Sequence, residues 1–182
     1  MRRIIVTEFI SLDGVVEDPG GAEGYKHGGW TFQFQDEEGM KFKFDELMEA
    51  DAQLLGRVTY DGFAAAWPSM EDDGVGFKDK MNAMPKYVVS STLTDPSWQN
   101  TQVISLDDVE GLDGTILVAG SARLAQGLHA RGLVDKYRLM LYPVVLGSGK
   151  KLFGESDDLT AFTLVDSLVL GSGTLILTYQ KA

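Results

Sequence analysis

The chain has 182 residues and a mass of 19.9 kDa, a length that favours a single folded domain spanning residues 1–182. Its 16 Lys and Arg against 27 Asp and Glu give a net charge of −11, so neither nucleic acid nor an anionic membrane surface is an expected partner. The chain has no cysteine, which excludes disulfides and thiolate metal sites and fits a cytoplasmic location. Only two histidines, His27 and His129, occur, too few for a histidine metal centre, so no metal is expected.

The first half of the chain alternates strand and helix patterns. β-Branched residues from 3 to 12, closed by Asp13 and Gly14, predict a first strand, and a glycine-rich loop follows over 17–30. Apolar residues at helical spacing after Asp36 predict the first helix. A short buried strand over 52–55 and a second helix over 56–66 come next.

The second half continues the alternation and then changes to strands alone. The patterns predict a helix over 77–82, strands over 86–90, 103–104 and 115–119, and a helix over 122–131. A long strand over 134–145 precedes a hairpin of 162–170 and 174–179. This order predicts an α/β fold with three layers: a mostly parallel mixed sheet, helices on both of its faces, and a C-terminal antiparallel hairpin.

Ligands of such sheets bind beyond the carboxyl ends of the strands, which directs attention to the residues that follow each strand. Gly56, Arg57 and Thr59 come directly after a buried strand and open a helix, where backbone N–H groups, a guanidinium and a hydroxyl together suit an anion such as phosphate. The alternative is a helix start with a surface arginine.

Two further strand ends carry small polar residues. Ser90 and Ser91 follow one strand, and Gly120 and Ser121, with Ala122, form another strand-to-helix turn whose N–H groups are free to bind an anion. Each segment alone is also consistent with an ordinary turn. Three such ends on consecutive parallel strands make a stronger indication of a phosphate-containing ligand than any one of them.

The first strand ends in Ser-Leu-Asp-Gly at 11–14, which offers either a carboxylate over a bound ring or a simple turn. Asp13 is therefore the candidate catalytic residue, to orient a substrate or relay a proton. His27, in the glycine-rich loop, either lines a substrate pocket or is solvated. No Gly-x-Ser-x-Gly elbow or evident Ser/His/Asp set supports hydrolase chemistry.

Five segments, in this order, resemble the dihydrofolate reductase-like superfamily: Ser-Leu-Asp-Gly (11–14), Leu-Leu-Gly-Arg-Val-Thr-Tyr (54–60), Val-Val-Ser-Ser-Thr (88–92), Val-Ala-Gly-Ser (118–121) and Leu-Tyr-Pro-Val-Val-Leu-Gly-Ser-Gly (141–149). Within it the chain is similar to stand-alone relatives of the reductase domain of the bifunctional riboflavin-biosynthesis deaminase/reductase. The resemblance covers almost the whole chain.

The resemblance implies NADPH as cofactor and assigns it to the same strand ends. By position, it puts Gly56, Arg57 and Thr59 on cofactor phosphates. It puts Ser90 and Ser91 near the adenosine 2′-phosphate. It puts Gly120, Ser121 and Ala122 at the pyrophosphate.

Two positions depart from the family pattern. An ungapped count puts Met40 where dihydrofolate reductases carry their pterin-binding carboxylate, which disfavours folate as substrate. Thr7 stands where the riboflavin reductases usually carry a lysine. No zinc deaminase motif occurs, which excludes a bifunctional riboflavin enzyme.

We therefore expect an NADPH-dependent oxidoreductase that transfers hydride to a small heterocyclic or ribosylaminopyrimidine-like substrate. The alternatives are a non-catalytic NADP-binding module and a binding protein for another small molecule. The apolar segments 137–145 and 162–170 lie near one end of the predicted sheet, and an uncovered apolar edge predicts a homodimer.

Overall fold

The structure, a computed structural model, describes residues 1–182. Its strands are β1 (Arg3–Ile10), β2 (Ala52–Gly56), β3 (Lys86–Val89), β4 (Thr101–Ile104), β5 (Thr115–Val118), β6 (Lys136–Leu141), β7 (Phe162–Val169) and β8 (Leu175–Lys181). Its α-helices are α1 (Glu37–Glu49), α2 (Arg57–Ala66), α3 (Phe77–Ala83) and α4 (Ala122–Ala130). Short 3₁₀ turns, which the sequence patterns did not predict, occur at Phe32–Phe34 and Asp107–Gly111.

All eight strands form one mixed sheet in the order β4-β3-β2-β5-β1-β6-β8-β7. The first six in this order pair in parallel, and β8 pairs antiparallel with both β6 and β7. The predicted α/β fold with a C-terminal antiparallel hairpin is confirmed, and it is the dihydrofolate reductase-like fold.

Alternation along β1 divides the apolar core between the two faces of the sheet. Ile4 and Val6 pack on the face that α4 covers, in a cluster that includes Leu124 and Leu128. Ile5 packs on the opposite face with Leu47 of α1. The helices therefore lie on both faces, as the strand-helix alternation predicted.

A third apolar cluster lies where α1 meets the C-terminal hairpin, and it consists of Trp30, Met140, Tyr142, Leu170 and Ile176. Asp36 caps α1 by accepting hydrogen bonds from the N–H groups of Glu38 and Gly39. Its other carboxylate oxygen accepts from the N–H of Ser172, in the turn of the hairpin. One side chain thus fixes the start of α1 against the antiparallel end of the sheet.

The predicted strand over 134–145 is shorter in the structure, because β6 ends at Leu141. Pro143 interrupts the strand pattern since it has no N–H to donate to a ladder. Beyond β6, the N–H of Tyr142 donates to the carbonyl of Ile10, and past Pro143 the N–H of Leu12 donates to the carbonyl of Val144. None of the helices has both the length and the apolar character needed to cross a membrane.

Candidate functional site

The chain order changes direction in the sheet between β1 and β5. From β1, the connection through α1 leads across β5 to β2, whereas from β5 the connection through α4 leads across β1 to β6. The two connecting helices lie on opposite faces, and at such a point the fold is expected to form a crevice outside the carboxyl ends of β1 and β5. This topological switch point is the expected ligand site of the fold.

The ends of β2 and β5 meet beside this crevice. The N–H of Gly56 donates to the carbonyl of Gly120 over 3.1 Å. A Cβ at Gly56 would lie 2.9 Å from the backbone nitrogen of Ser121, and one at Gly120, where φ is +118°, would lie 2.7 Å from Oγ1 of Thr59. Only glycine fits at both positions, and their contact brings the N-termini of α2 and α4 side by side.

The first turn of α2 is free to bind an anion. Its N-cap residue, Gly56, has no side chain to accept from the N–H groups of the first turn. Arg57 begins the helix, with its Nε pairing with Asp61 at 3.0 Å and its Nη1 donating to Oγ1 of Thr92 at 3.0 Å. Uncapped N–H groups beside a guanidinium fit the phosphate groups of a dinucleotide.

The Thr92 contact joins the end of β3 to this site. Ser90 Oγ accepts from the N–H groups of Thr92 and Leu93, which closes a tight turn after the strand, and Ser91 is exposed in that turn. The structure therefore brings Ser90 and Ser91 to the same edge as Arg57. The sequence had indicated the hydroxyl cluster but not the Arg57–Thr92 contact.

Ser121 caps α4, since its Oγ accepts from the N–H of Leu124 at 3.3 Å. The peptide bond between Gly120 and Ser121 is cis, and Ala122 is buried at the first helical position. The predicted residues Gly56, Thr59, Gly120, Ser121 and Ala122 thus form one continuous group around the β2–β5 contact. Their roles in cofactor binding stay predictions.

Asp13 lies near the same edge but has its carboxylate fully engaged. It accepts from the hydroxyl of Ser11 at 2.6 Å and from the N–H groups of Leu146 and Gly147 at 3.1 and 2.8 Å. These hydrogen bonds, with that of Ser11 the strongest contributor, lower the pKa of Asp13 to about 2. The geometry favours a clamp between the loop after β1 and the loop after β6, and a catalytic role for Asp13 stays a prediction.

Glu8 is the carboxyl group that the sequence analysis missed at this site. It is 7% exposed, and its Oε1 has no hydrogen-bond partner. Burial raises the pKa of Glu8 to about 8, with Lys43 opposing and Glu23 adding to the shift. A lone acidic residue inside the apolar run of β1 was the signal that could have identified it.

Lys43 was also missed, and it corrects the count that singled out Met40. Met40 is 58% exposed on α1, so it does not face the sheet. Lys43 does, donating to Oγ1 of Thr7 at 2.8 Å and pairing with the buried carboxylate of Glu46 at 2.5 Å. The ungapped count ignored the helical phase of α1, and the expectation that dihydrofolate is not the substrate stays a prediction.

This polar cluster of Thr7, Lys43 and Glu46 is bordered by aromatic rings. The Lys43 ammonium lies 5.2 Å from the ring centroid of Phe9, a cation–π distance. Arg138 of β6 approaches Glu46 at 3.8 Å from the other side. Arg138 also pairs with Glu49 at 3.4 Å, so two cations and two carboxylates form one ion-pair network on the α1 side of the sheet.

The glycine-rich loop begins at the same edge of the sheet. Asp18 organises it by accepting hydrogen bonds from the N–H groups of Ala22 and Tyr25. Trp30 at its end packs into the third apolar cluster and donates to the carbonyl of Glu17 at 2.9 Å. A cleft of about 320 Å³ separates this loop from segment 144–146, and His27 lines it.

The arrangement combines a dihydrofolate reductase-like fold with a topological switch point that has helix N-termini and a guanidinium beside it. The RibD C-terminal domain family model matches residues 2–111 and 110–176. The chain belongs to the RibD C-terminal domain family.

Two proteins of Bacillus subtilis (strain 168) are similar over most of their length. The uncharacterized protein YyaP is 30% identical over 98% of this chain and 95% of its own length. The uncharacterized protein YwjB is 25% identical over 90% of this chain and 89% of its own.

Solved structures show the same fold. A putative riboflavin biosynthesis protein from Shewanella sp. PV-4 superposes with a TM-score of 0.77 at 21% identity, with 99% of each chain covered. A pyrimidine reductase-like protein from Corynebacterium diphtheriae gives a TM-score of 0.68 at 14% identity, with coverages of 99% and 92%. RibD of Acinetobacter baumannii gives 0.65 at 12% identity, with all of this chain matching 58% of that one. Together with the family match, these structures support a reductase-like role.

The Gly56 contact predicts that an added methyl group changes the stability in opposite directions at Gly56, the N-cap of α2, and at Gly62, inside α2. Gly56→Ala should lower the free energy of unfolding by about 1 to 3 kcal/mol, because backbone atoms of Ser121 block the Cβ. Gly62→Ala should raise it by about 0.5 to 1 kcal/mol, since no atom lies within 4 Å and alanine is the better helix former. Urea unfolding of both variants measures the difference, and equal effects would contradict the tight junction.

Glu8 predicts a pH dependence of stability. Its native pKa of about 8 exceeds the ordinary value of 4.5, so its stabilisation is complete below pH 4.5 and is lost as the pH rises through about 8. The free energy of unfolding of wild type, relative to Glu8→Gln, should fall by up to about 4 kcal/mol across this window. The exposed Glu110→Gln variant is the control. A difference between wild type and Glu8→Gln that does not change with pH would refute the raised pKa of Glu8.

Proposed function

We propose that this protein is an NADPH-dependent reductase. The observation that carries the proposal is the uncapped N-terminus of α2, which lies with Arg57 beside the crevice at the switch point. A dinucleotide needs a phosphate site close to a cleft for its reactive ring, and the ends of β2, β5 and β1 offer these in adjacent positions. Membership of the RibD C-terminal domain family supports the same reaction class.

In the proposed complex, different residues contact different phosphate groups of the cofactor. Backbone N–H groups after Gly56, with Thr59, hold phosphate, and Gly120, Ser121 and Ala122 face the pyrophosphate. Arg57, with Ser90 and Ser91, faces the 2′-phosphate. When bound, NADPH supplies the hydride, and the protein supplies orientation and electrostatics.

The substrate in this proposal is a small heterocycle, of which a ribosylaminopyrimidine is the leading candidate. Lys43 and Arg138 offer cationic groups for its oxygen or phosphate atoms, and Phe9 offers a ring beside them. The fold-matched proteins described as riboflavin-biosynthesis and pyrimidine reductase-like favour this class. Thr7 stands where the family usually carries a lysine. Lys43 of α1 brings an ammonium to the same point, because it donates to Oγ1 of Thr7.

Two measurements test the function. Titration calorimetry measures NADPH binding, and absorbance at the dihydronicotinamide band measures its oxidation against 5-amino-6-(5-phosphoribosylamino)uracil, dihydrofolate and other small heterocycles. Binding with turnover of one compound supports the reductase. Binding with no turnover across the panel favours a non-catalytic NADP-binding module, and no binding refutes the cofactor assignment.

Arg57 predicts a preference for NADPH over NADH. A charge-assisted hydrogen bond contributes roughly 1.5 to 3 kcal/mol, so Arg57→Ala should weaken NADPH binding on the order of 10- to 150-fold. NADH binding should change little because it lacks the 2′-phosphate. Calorimetry of both cofactors measures this.

The matched control is Arg131→Ala, at the C-terminal end of α4 and therefore far from the carboxyl edge of the sheet. It should leave both affinities unchanged. An equal loss for NADPH and NADH in Arg57→Ala would assign Arg57 to the pyrophosphate instead.

We also propose that the protein is a homodimer that pairs through β7, the edge strand of the antiparallel end. Its apolar side chains Leu164, Val165 and Val169 are exposed, Val169 to 73%. An exposed apolar edge strand favours association. Light scattering at micromolar concentration should give twice the 19.9 kDa chain mass for wild type and one chain mass for Val169→Lys. A monomeric wild type would contradict the proposal.

A further inference from the structure

Glu8 lies where β1 and β5 separate. The two strands pair from Arg3 with Thr115 to Val6 with Val118 and no further, whereas β1 continues along β6 to Ile10 and Leu141. Glu8 is two residues beyond the last β1–β5 pair, opposite Leu139 of β6. It therefore lies at the switch point, just past the place where β1 and β5 separate and one strand away from the Gly120 turn.

The side chain is buried without the partners that a buried carboxylate requires. It is 7% exposed, and its Oε1 is enclosed with no hydrogen bond. An ionised carboxylate in such a position loses its hydration with no hydrogen bond to Oε1 in return, so the protonated form is favoured. Burial accordingly raises the pKa of Glu8 to about 8, which leaves it mostly protonated at neutral pH.

The charged groups around Glu8 come from two sides. Lys43 of α1 lowers its pKa, and Glu23 of the glycine-rich loop raises it. Arg138 of β6 is engaged with Glu46 and Glu49. Strand β5 contributes no ionisable side chain, and the nearby cation of α4, Arg123, is exposed to solvent.

We propose that Glu8 is the general acid of the reductase, donating a proton to the substrate in the β1–β5 crevice. This inference rests on the proposed function, since it requires a hydride acceptor bound beside Glu8. Asp13 is the poorer donor of the two carboxyls, because its oxygens already accept from Ser11, Leu146 and Gly147.

The step balances for a C=N acceptor. The carbon gains the hydride and its electron pair from NADPH, the π pair moves to nitrogen, and Glu8 gives its carboxyl proton to that nitrogen. The products are the C–H and N–H bonds of the reduced substrate, NADP⁺, and the Glu8 carboxylate. Solvent then returns the proton to Glu8 for the next turnover.

The first test needs no substrate and asks whether Glu8 lies beside the nicotinamide ring of the bound cofactor. Carboxyl ¹³C NMR of protein carrying labelled glutamate, with the Glu8 signal assigned by its loss in Glu8→Gln, gives the pKa of Glu8 with NADPH and with NADP⁺ bound. The two cofactors differ by one positive charge on the nicotinamide ring. If Glu8 lies beside that ring, its pKa should be lower with NADP⁺ by about one unit or more.

The second test measures how the rate of substrate reduction depends on the proton of Glu8. Glu8→Gln keeps the shape of the side chain but has no acidic proton, so single-turnover reduction of the panel compound that wild type reduces fastest should slow on the order of 10²- to 10⁴-fold. NADPH affinity should be unchanged. The wild-type rate should fall as the pH rises through about 8, and this fall should vanish in the variant. Exposed Glu110→Gln is the control and should match wild type.

The outcomes separate this inference from the function it rests on. Absence of NADPH binding refutes the proposed reductase. Binding of both cofactors with one and the same Glu8 pKa, or a Glu8→Gln variant that reduces substrate at the wild-type rate, refutes Glu8 alone. A cofactor-dependent pKa together with the slowed variant supports the proton-donor role.

Discussion

The close approach of β2 and β5 at their carboxyl ends is the constraint on which the candidate site depends. Two backbones come together there because Gly56 and Gly120 have no side chains to separate them. A hydrogen bond between them fixes the distance. As a result, the N-termini of α2 and α4 point at one region of space, and their partial positive charges add there. Neither helix alone would provide this arrangement.

The same parallel order creates the crevice next to those helix ends. Strand β5 lies between β1 and β2, so the helix that leaves β1 and the helix that leaves β5 cover opposite faces of the sheet. The pairing of β1 with β5 stops at Val6 and Val118, and the strands beyond that point carry polar residues into an otherwise apolar layer. Glu8 and the Thr7, Lys43 and Glu46 cluster are therefore consequences of where the sheet opens.

The electrostatics of the site differ from those of the whole molecule. A chain with a net charge of −11 repels a polyanionic cofactor at long range. At physiological salt, however, such repulsion is screened beyond about 8 Å. Within that distance, Arg57 and the uncapped N–H groups of α2 supply positive charge, whereas Lys43 and Arg138 are paired with Glu46 and Glu49. Local arrangement, not net charge, decides which ligands this edge of the sheet accepts.

The fold class and the strand ends that form the candidate site are predictable from the amino-acid sequence. Hydrophobic periodicity fixes which segments are strands and helices, and small polar residues after buried strands mark the carboxyl edge, because both are properties of contiguous residues. Which side chains meet there depends on the tertiary fold. Lys43 reaches Thr7 across 36 positions of sequence, and Arg57 reaches Thr92 across 35, contacts that no local pattern encodes. The burial of Glu8 likewise depends on elements from several parts of the chain, and burial is the physical cause of its unusual acidity.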